Sequence, residues 1–225
     1  MKILKIKGKN LASLGGEFEI DFTKEPLASA GIFAITGNTG SGKSTILDAI
    51  CLALYDSTPR MNKAKEANVQ LKDVNDRGIS QNDSRSILRR GSADCYAQVD
   101  FIASTAERYS ATWSVRRAGN KPSGALQKVE MSAVNLETGE PLQGTKSEIQ
   151  SRLVELVGLS FEQFSRSVLL AQGDFASFLK AKKDEKAEIL EKLTGTEVYS
   201  EISRIIYNKA KEIDTKRKEL LQHIE

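Results

Sequence analysis

The sequence has few of the features that mark secreted or disulfide-stabilised proteins. Only two of its 225 residues are cysteines, Cys51 and Cys95, and both have apolar neighbours. A single pair so far apart in the chain fits neither a disulfide framework nor a C-x-x-C zinc or redox motif. We therefore expect two reduced cysteines in the core, where unpaired cysteine is commonly buried.

Long apolar runs are also missing. The longest, residues 46–55, is interrupted by Asp48 and has about half of the roughly 20 residues that a transmembrane helix needs. Lys2 and Lys5 follow Met1, but no apolar stretch of secretory length comes after them. The sequence thus predicts a cytoplasmic protein without a membrane partner.

Neither sign of charge dominates the composition. The chain has 33 Lys and Arg against 30 Asp and Glu, a net charge of +3, which does not by itself indicate a nucleic-acid binder. Apolar residues make up 40% and there are 16 glycines, as in ordinary globular proteins, which excludes wholesale disorder. The length suits one large or two small domains.

Apolar periodicity predicts a sheet. Residues 2–7 and 17–22 alternate with a period of two, which indicates a half-buried antiparallel pair with glycine turns between the strands. Residues 31–36 are apolar on both faces, which predicts a central strand covered on both sides. Further strands are predicted over 95–102, 108–117 and 129–136, with turns at 118–120 and 138–139.

Helical patterns occupy the remaining apolar segments. Residues 44–55 are apolar almost all round and predict a buried helix that ends before Pro59. Charged and amide residues dominate residues 57–91, which favours a mobile loop with at most one short helix. Two more helices are predicted over 145–157 and 161–168.

The last part of the chain has a different pattern. Its apolar and small residues recur at alternating spacings of four and three, which indicates the seam of a coiled coil. The stripe reaches the end of the sequence without a cap, so we expect the root of a longer rod. An amphipathic helix docked on its own domain is the alternative. The predicted domains are 1–180 and 181–225, and the seam consists of Tyr199, Ser203, Ile206, Ala210, Ile213, Arg217, Leu220 and Ile224.

One motif carries recognisable chemistry. Residues 37–44 match G-x-x-x-x-G-K-S/T between an apolar strand pattern and an apolar helix pattern, which is the context that a phosphate-binding P-loop requires. Glycines let backbone N–H groups surround an anion, and the helix begins at its positive end. The predicted ligands of ATP are Gly37, Asn38, Thr39, Gly40, Ser41, Gly42, Lys43, Ser44 and Thr45.

Two of these side chains have specific expected roles. Lys43 is expected to bridge the β- and γ-phosphates, and the Ser44 hydroxyl to occupy one coordination position of Mg²⁺. Hydrolysis also requires a carboxylate at the end of an apolar strand. Asp100 follows an alternating segment and Asp21 precedes the loop, so we predict that the catalytic carboxylate is missing from this chain.

Three blocks of sequence together resemble the amino-terminal part of the SbcC family, the ATPase subunits of the SbcCD nuclease. They are residues 33–50, 169–179 and 193–199, and the resemblance covers nearly the whole chain. It implies an α/β fold: one lobe of an ABC-type P-loop head with an antiparallel β subdomain and the start of a coiled-coil helix. In that family the two lobes lie at opposite ends of a long chain.

The resemblance also implies site residues and partners. Gln172 matches the family's Q-loop glutamine, which contacts Mg²⁺ and the attacking water, and Asn10 occupies a place where relatives approach the nucleotide. The missing carboxylates and signature would belong to the carboxy-terminal lobe of the same protein. Further implied partners are a second head in a homodimer, an SbcD-type nuclease subunit and DNA. Candidate DNA contacts are Arg60, Lys63, Lys65, Arg89, Arg90, Arg116, Arg117 and Lys121.

Other functions share parts of this pattern. A transporter nucleotide-binding subunit would show a signature and a catalytic strand after Gln172, where this sequence has heptads instead. A chromosome-structural or recombination ATPase that tethers DNA shares the head and remains the alternative.

Overall fold

A computed structural model describes residues 1–64, 70–74, 78–169 and 197–222. The chain divides into two compact units, Met1–Ala171 and Gln172–Glu225. The first contains β1 (Lys2–Leu11), β2 (Leu14–Asp21), α1 (Lys43–Tyr55), α2 (Pro59–Ala64), β3 (Gln70–Lys72), β4 (Gly78–Ser80), β5 (Asp94–Ile102), β6 (Arg108–Arg116), β7 (Glu130–Asn135), α3 (Lys146–Val157) and α4 (Phe161–Phe164). The second contains α5 (Glu197–Gln222).

The main sheet has five antiparallel strands in the order β2-β1-β5-β6-β7. Its central strand is β5, in which Val99 pairs with Ile6 of β1 and with Ala111 of β6. Side chains of β5 alternate between buried and half-buried, as expected of a sheet with one face in the core. The predicted β1–β2 pair and the three later strands are confirmed, with small shifts at their ends.

The core lies between one face of this sheet and the helices α1 and α3. Leu52 and Leu54 of α1 are fully buried, as are Trp113 of β6 and Leu153 of α3. The predicted helix over 44–55 is confirmed and ends at Tyr55. The fold class is therefore the predicted α/β arrangement of a P-loop head lobe with an antiparallel sheet.

Both cysteines are free and buried, as predicted. Burial raises the pKa of the Cys95 thiol to about 12 and raises that of Cys51 as well. Neither thiol is ionised near neutral pH, so both behave as small apolar core residues.

The prediction of a central buried strand over residues 31–36 is wrong. These residues form no strand, and the side chains of Ile32 and Phe33 are 95% and 48% exposed. A strand requires a hydrogen-bonding neighbour, and no described residue pairs with this backbone. Phe33 has a contact with the ring of Phe22, at 5.4 Å between centroids. The segment thus has the composition of a central strand without a partner strand.

The described part of residues 57–91 contains more regular secondary structure than the sequence predicted. It contains α2, a short hairpin in which Leu71 of β3 pairs with Ile79 of β4, and a 3₁₀ turn over Ser84–Ile87. These elements are three to six residues long, too short for apolar periodicity to reveal them. Residues 65–69 and 75–77 lie outside the described part.

The helices after the sheet begin at strong local signals. Thr145 and Glu148 form a capping box at the start of α3, and Ser160 and Gln163 form another at the start of α4. A π-helical stretch, Ser165–Leu169, follows α4. Both predicted helices are confirmed.

Helix α5 confirms the predicted helix over the residues described there. Its apolar side chains are largely exposed, 62% for Ile206 and 67% for Ile213. Residues 170–196 and the predicted domain boundary after residue 180 lie outside the described part. Among the described helices, none is long and apolar enough to cross a membrane.

Candidate nucleotide-binding site

Residues 37–42 form a tight loop that leads into α1. The N–H of Ser41 donates to the carbonyl of Asn38 at 3.1 Å, and Gly42 caps the helix with a left-handed φ of 95°. The N–H of Thr45 then donates to the carbonyl of Gly42 at 2.9 Å. The loop therefore closes onto the first turn of the helix, as the motif predicts.

Glycine is required at Gly42 for a steric reason as well as for its φ. A Cβ atom at this position would lie 2.4 Å from Cδ2 of Leu14, which belongs to β2. A side chain fits there only if the Leu14 side chain shifts, and the left-handed φ disfavours any residue other than glycine. The glycine thus lets the loop approach the β1–β2 turn closely.

The first turn of α1 has no side chain that would compete with or repel a bound anion. Gly42 has no side chain to cap the helix, and no acidic residue lies in the first turn. The leading N–H groups of a helix lack internal partners and carry the positive end of its dipole. Together with the exposed loop, this helix end can bind phosphate oxygens.

The Lys43 side chain folds back over the loop. Its Nζ donates to the carbonyl oxygens of Gly37 at 2.6 Å and Asn38 at 2.8 Å. The ammonium group therefore already lies at the loop, held by two neutral acceptors that a phosphate can replace. Ser44, the predicted Mg²⁺ ligand, is exposed at the same helix end, whereas Thr45 is buried.

One carboxylate lies a helical turn beyond Ser44. Asp48 is buried and forms an ion pair with Arg60, which is half-exposed. Burial raises the pKa of Asp48 to about 6, although Arg60 opposes this shift. Arg60, a candidate DNA contact, is therefore engaged with α1. The described residues contain no cluster of three or more side chains suited to a metal ion, and Gln172 lies outside them.

The turn between β1 and β2 packs against the phosphate-binding loop at Gly42. The P-loop motif alone does not predict this contact. Asn10 and Ala12 both have left-handed backbones, with φ of 51° and 44°. Each left-handed residue other than glycine costs roughly 1–2 kcal/mol. The Asn10 side chain offsets part of this cost, because it donates to the carbonyl of Asp94 and accepts from the N–H of Gly16. Asn10 and the glycines that follow the turn are its sequence signals.

The candidate DNA contacts differ in burial and in the partners of their side chains. Arg116 is exposed and pairs with Glu130 at 3.6 Å, whereas the neighbouring Arg117 is buried against Asp73. Arg117 is thus buried away from any ligand surface, so its prediction as a DNA contact is wrong. Arg89 donates to backbone carbonyls of the β1–β2 turn. Arg90 and Lys121 are exposed; Lys63 has no described side chain and Lys65 lies outside the described part.

The chain matches a family model described as an AAA domain over residues 5–225. It is 51% identical to the SbcC component of the nuclease SbcCD of Pseudomonas aeruginosa over 226 residues, and 46% identical to that of Rhodobacter capsulatus over 221. These alignments cover 100% and 98% of this chain but 18% of each relative. A probable DNA double-strand break repair Rad50 ATPase of Aquifex aeolicus is 30% identical, covering 100% of the chain and 20% of that relative.

The chain spans about a fifth of the length of the curated relatives it matches. The match of the family model covers nearly all of the chain and includes the phosphate-binding loop described above. The chain therefore belongs to the AAA-domain family, and within it resembles the SbcC-type ATPases.

Proposed function

We propose that this chain is the amino-terminal, ATP-binding lobe of an SbcC-type ATPase. The observation that carries the proposal is the P-loop: an exposed glycine loop, an uncapped helix start and the Lys43 ammonium converge on one spot. The relatives named as the SbcC component of the SbcCD nuclease support the assignment within the family.

The bound group is ATP with Mg²⁺, and the chain's own residues supply complementary contacts. Backbone N–H groups of residues 37–45 would hold phosphate oxygens, Lys43 would neutralise charge on the β- and γ-phosphates, and the Ser44 hydroxyl would bind Mg²⁺. In the same proposal Gln172, which matches the Q-loop glutamine of the SbcC family, would contact Mg²⁺ and the attacking water. The metal ion neutralises charge on the phosphates when it is bound.

Hydrolysis requires acidic groups that the described site does not supply. The buried carboxylate nearest to Ser44 along α1 is that of Asp48, and it is paired with Arg60. We propose that the catalytic carboxylate comes from the carboxy-terminal lobe of the same protein. This chain then binds nucleotide alone and hydrolyses it only in a complete head.

The surface around residues 31–36 supports docking of that lobe. Ile32, Phe33 and Ile35 are exposed, and within the described residues their backbone lacks a partner strand. An apolar groove of about 440 Å³ lies beside them and is lined by Ile3, Phe22, Leu27, Phe33, Ile46 and Leu47, among others. A strand and apolar side chains from the second lobe would complete both the sheet and the core.

The activity of the whole protein follows from this arrangement. Two complete heads form a homodimer that encloses two nucleotides, and its closure drives DNA end processing by an SbcD-type nuclease subunit. The unit 181–225 leads from the head, residues 1–180, into the coiled coil. In this proposal the complex acts in the cytoplasm in DNA repair and recombination.

Nucleotide binding is the first test. Isothermal titration of Mg-ATP into the purified chain should give saturable heat, and Lys43→Ala should weaken binding by at least about tenfold, because a charge-assisted contact is lost. Lys121→Ala, which removes an exposed lysine far along the chain from the loop, is the matched control. No heat with the unaltered chain would overturn the proposal.

Turnover is the second test. The chain alone should show little ATPase activity, and added carboxy-terminal lobe should restore turnover that Lys43→Ala abolishes. Robust hydrolysis by the chain alone would contradict the division of the active site. ATP-dependent stimulation of an added SbcD-type subunit separates this function from that of an ATPase that only tethers DNA.

A further inference from the structure

The β1–β2 turn touches the phosphate loop at one point. The side chains of Leu14 and Ser13 lie against the Cα of Gly42, where a Cβ would be 2.4 Å from Leu14 and 3.2 Å from Oγ of Ser13. Gly42 is also the residue that caps α1. Any displacement of the turn would therefore reach the residue at which the loop becomes a helix.

The turn is held from the opposite side by residues 87–89. The N–H of Ala12 donates to the carbonyl of Ile87 at 2.7 Å, and the N–H of Arg89 donates to the carbonyl of Asn10 at 2.9 Å. These bonds extend the pairing of Leu11 with Leu88. They fix the entry to the turn but leave the carbonyl groups of Ala12 and Ser13 without a backbone partner among the described residues.

The Arg89 side chain fills this gap. Its Nη1 donates to the carbonyl of Ser13 at 2.8 Å and to that of Ala12 at 3.2 Å. A Cβ at Gly15 would lie 3.1 Å from Nε of Arg89, so the glycine leaves room for the guanidinium. One cation thus links both carbonyls of a turn in which Ala12 has an unfavourable left-handed backbone.

We infer that Arg89 is a positioning residue of the nucleotide site: its guanidinium holds the 12–14 turn against Gly42 and draws two carbonyl dipoles toward itself. Without that cation, the turn is free to relax toward ordinary backbone angles and the carbonyl oxygens are free to reorient, which would disfavour a nearby triphosphate. This inference rests on the proposed function, because it assumes that the loop binds a nucleotide.

The chain provides a matched control in the next residue. Arg90 is also exposed, carries the same charge and makes no hydrogen bond or ion pair to any described residue. Arg89→Ala and Arg90→Ala therefore change net charge equally. Arg89→Lys keeps the charge but replaces the planar guanidinium by a compact ammonium on a flexible stem.

Two measurements test the inference on the full chain. Amide hydrogen exchange of residues 12–16 and 40–44 should accelerate in Arg89→Ala but not in Arg90→Ala. Titration of Mg-ATP should show a loss of affinity of about tenfold for Arg89→Ala, because the turn would no longer be held against Gly42. Arg89→Lys should fall between Arg89→Ala and the unaltered chain.

A second substitution distinguishes positioning from general destabilisation. Ala12→Gly removes the cost of the left-handed backbone, so in the Arg89→Ala background it should restore part of the lost affinity. A merely structural role of Arg89 would lower the melting temperature without this rescue. Unchanged exchange and affinity in Arg89→Ala, with nucleotide still bound by the unaltered chain, would overturn the inference. Failure of the unaltered chain to bind would instead overturn the proposed function.

Discussion

Strand β5 and the segment 31–36 are both predicted from the sequence as strands of the sheet, but they have opposite environments. Val99 and Phe101 of β5 are fully buried, whereas Ile32 is 95% exposed. β5 has a hydrogen-bonded neighbour on each side, β1 and β6, and 31–36 has none among the described residues. The comparison teaches that an apolar run predicts a need for burial, while a strand also requires a partner.

The largest effect on stability is expected in the main sheet, whose strands all have hydrogen-bonded neighbours. Trp113→Ala should lower the free energy of unfolding by about 3–5 kcal/mol, because it leaves a cavity where the largest fully buried side chain packs. Trp113→Phe is the control: it keeps most of the ring but loses the hydrogen bond from Nε1 to Asp56 at 2.5 Å. Chemical denaturation should show a larger loss of unfolding free energy for Trp113→Ala than for Trp113→Phe. Equal losses of unfolding free energy would contradict the dominant role of packing.

Arg116 and Arg117 allow the same comparison of a buried and an exposed site for charged side chains. Arg117→Met should cost roughly 2–4 kcal/mol, because it removes one partner of a buried ion pair and leaves Asp73 nearly buried and unpaired. Arg116→Met should change stability by less than about 0.5 kcal/mol, because both partners of its ion pair are exposed. Thermal unfolding of both variants checks this. A similar loss for both would contradict the difference in burial.

The carboxyl of Asp48 should make stability depend on pH. Its pKa of about 6 in the folded chain exceeds its ordinary value near 3.8, so the folded state retains a proton that the unfolded state releases. Stability should therefore rise as the pH falls, by about 1.4 kcal/mol between about pH 7.5 and 5. Denaturant titration at several pH values measures this.

The control for that pH profile is Asp48→Asn, which should remove this contribution while keeping the shape of the side chain. The pKa values of Asp73 and Asp83 are lowered, so those groups lose their stabilising effect only at more acidic pH. An identical profile in the asparagine variant would refute the assignment to Asp48.

The smallest effect on stability is expected in the unpaired segment. Ile32→Ser should alter the free energy of unfolding by less than about 0.5 kcal/mol, because the side chain is almost fully exposed. The same change should weaken binding of the carboxy-terminal lobe by about tenfold if docking buries this side chain. Ser29→Ala, on the exposed approach to the segment, serves as the control in a pull-down with that lobe.

Much of the fold could be predicted because its signals are local. Alternation marked β1, β2 and β5 to β7, and the apolar pattern with Pro59 marked α1. The capping residues Thr145 and Ser160 lie where α3 and α4 begin. The P-loop was recognisable from the fixed spacing of its glycines and Lys43.

What could not be predicted depends on contacts between distant residues. The ion pair between Arg117 and Asp73 joins residues far apart in sequence. No motif in the sequence around either residue indicates the pairing. Arg89 is a candidate DNA contact from the sequence, because nothing in the neighbouring residues indicates that an arginine binds distant backbone carbonyls. The composition of residues 31–36 predicts a buried strand, but composition does not reveal whether a neighbouring strand is present.

The sequence by itself determined the phosphate-binding loop, the alternation of the sheet and the helical period of the last segment, since each arises from spacing along a few residues. Only the tertiary structure decided that Leu14 closes on Gly42, that Arg89 holds this turn, and that Asp48 is buried against Arg60. These contacts join separate elements, and their energies depend on distance and burial, which a linear pattern does not specify.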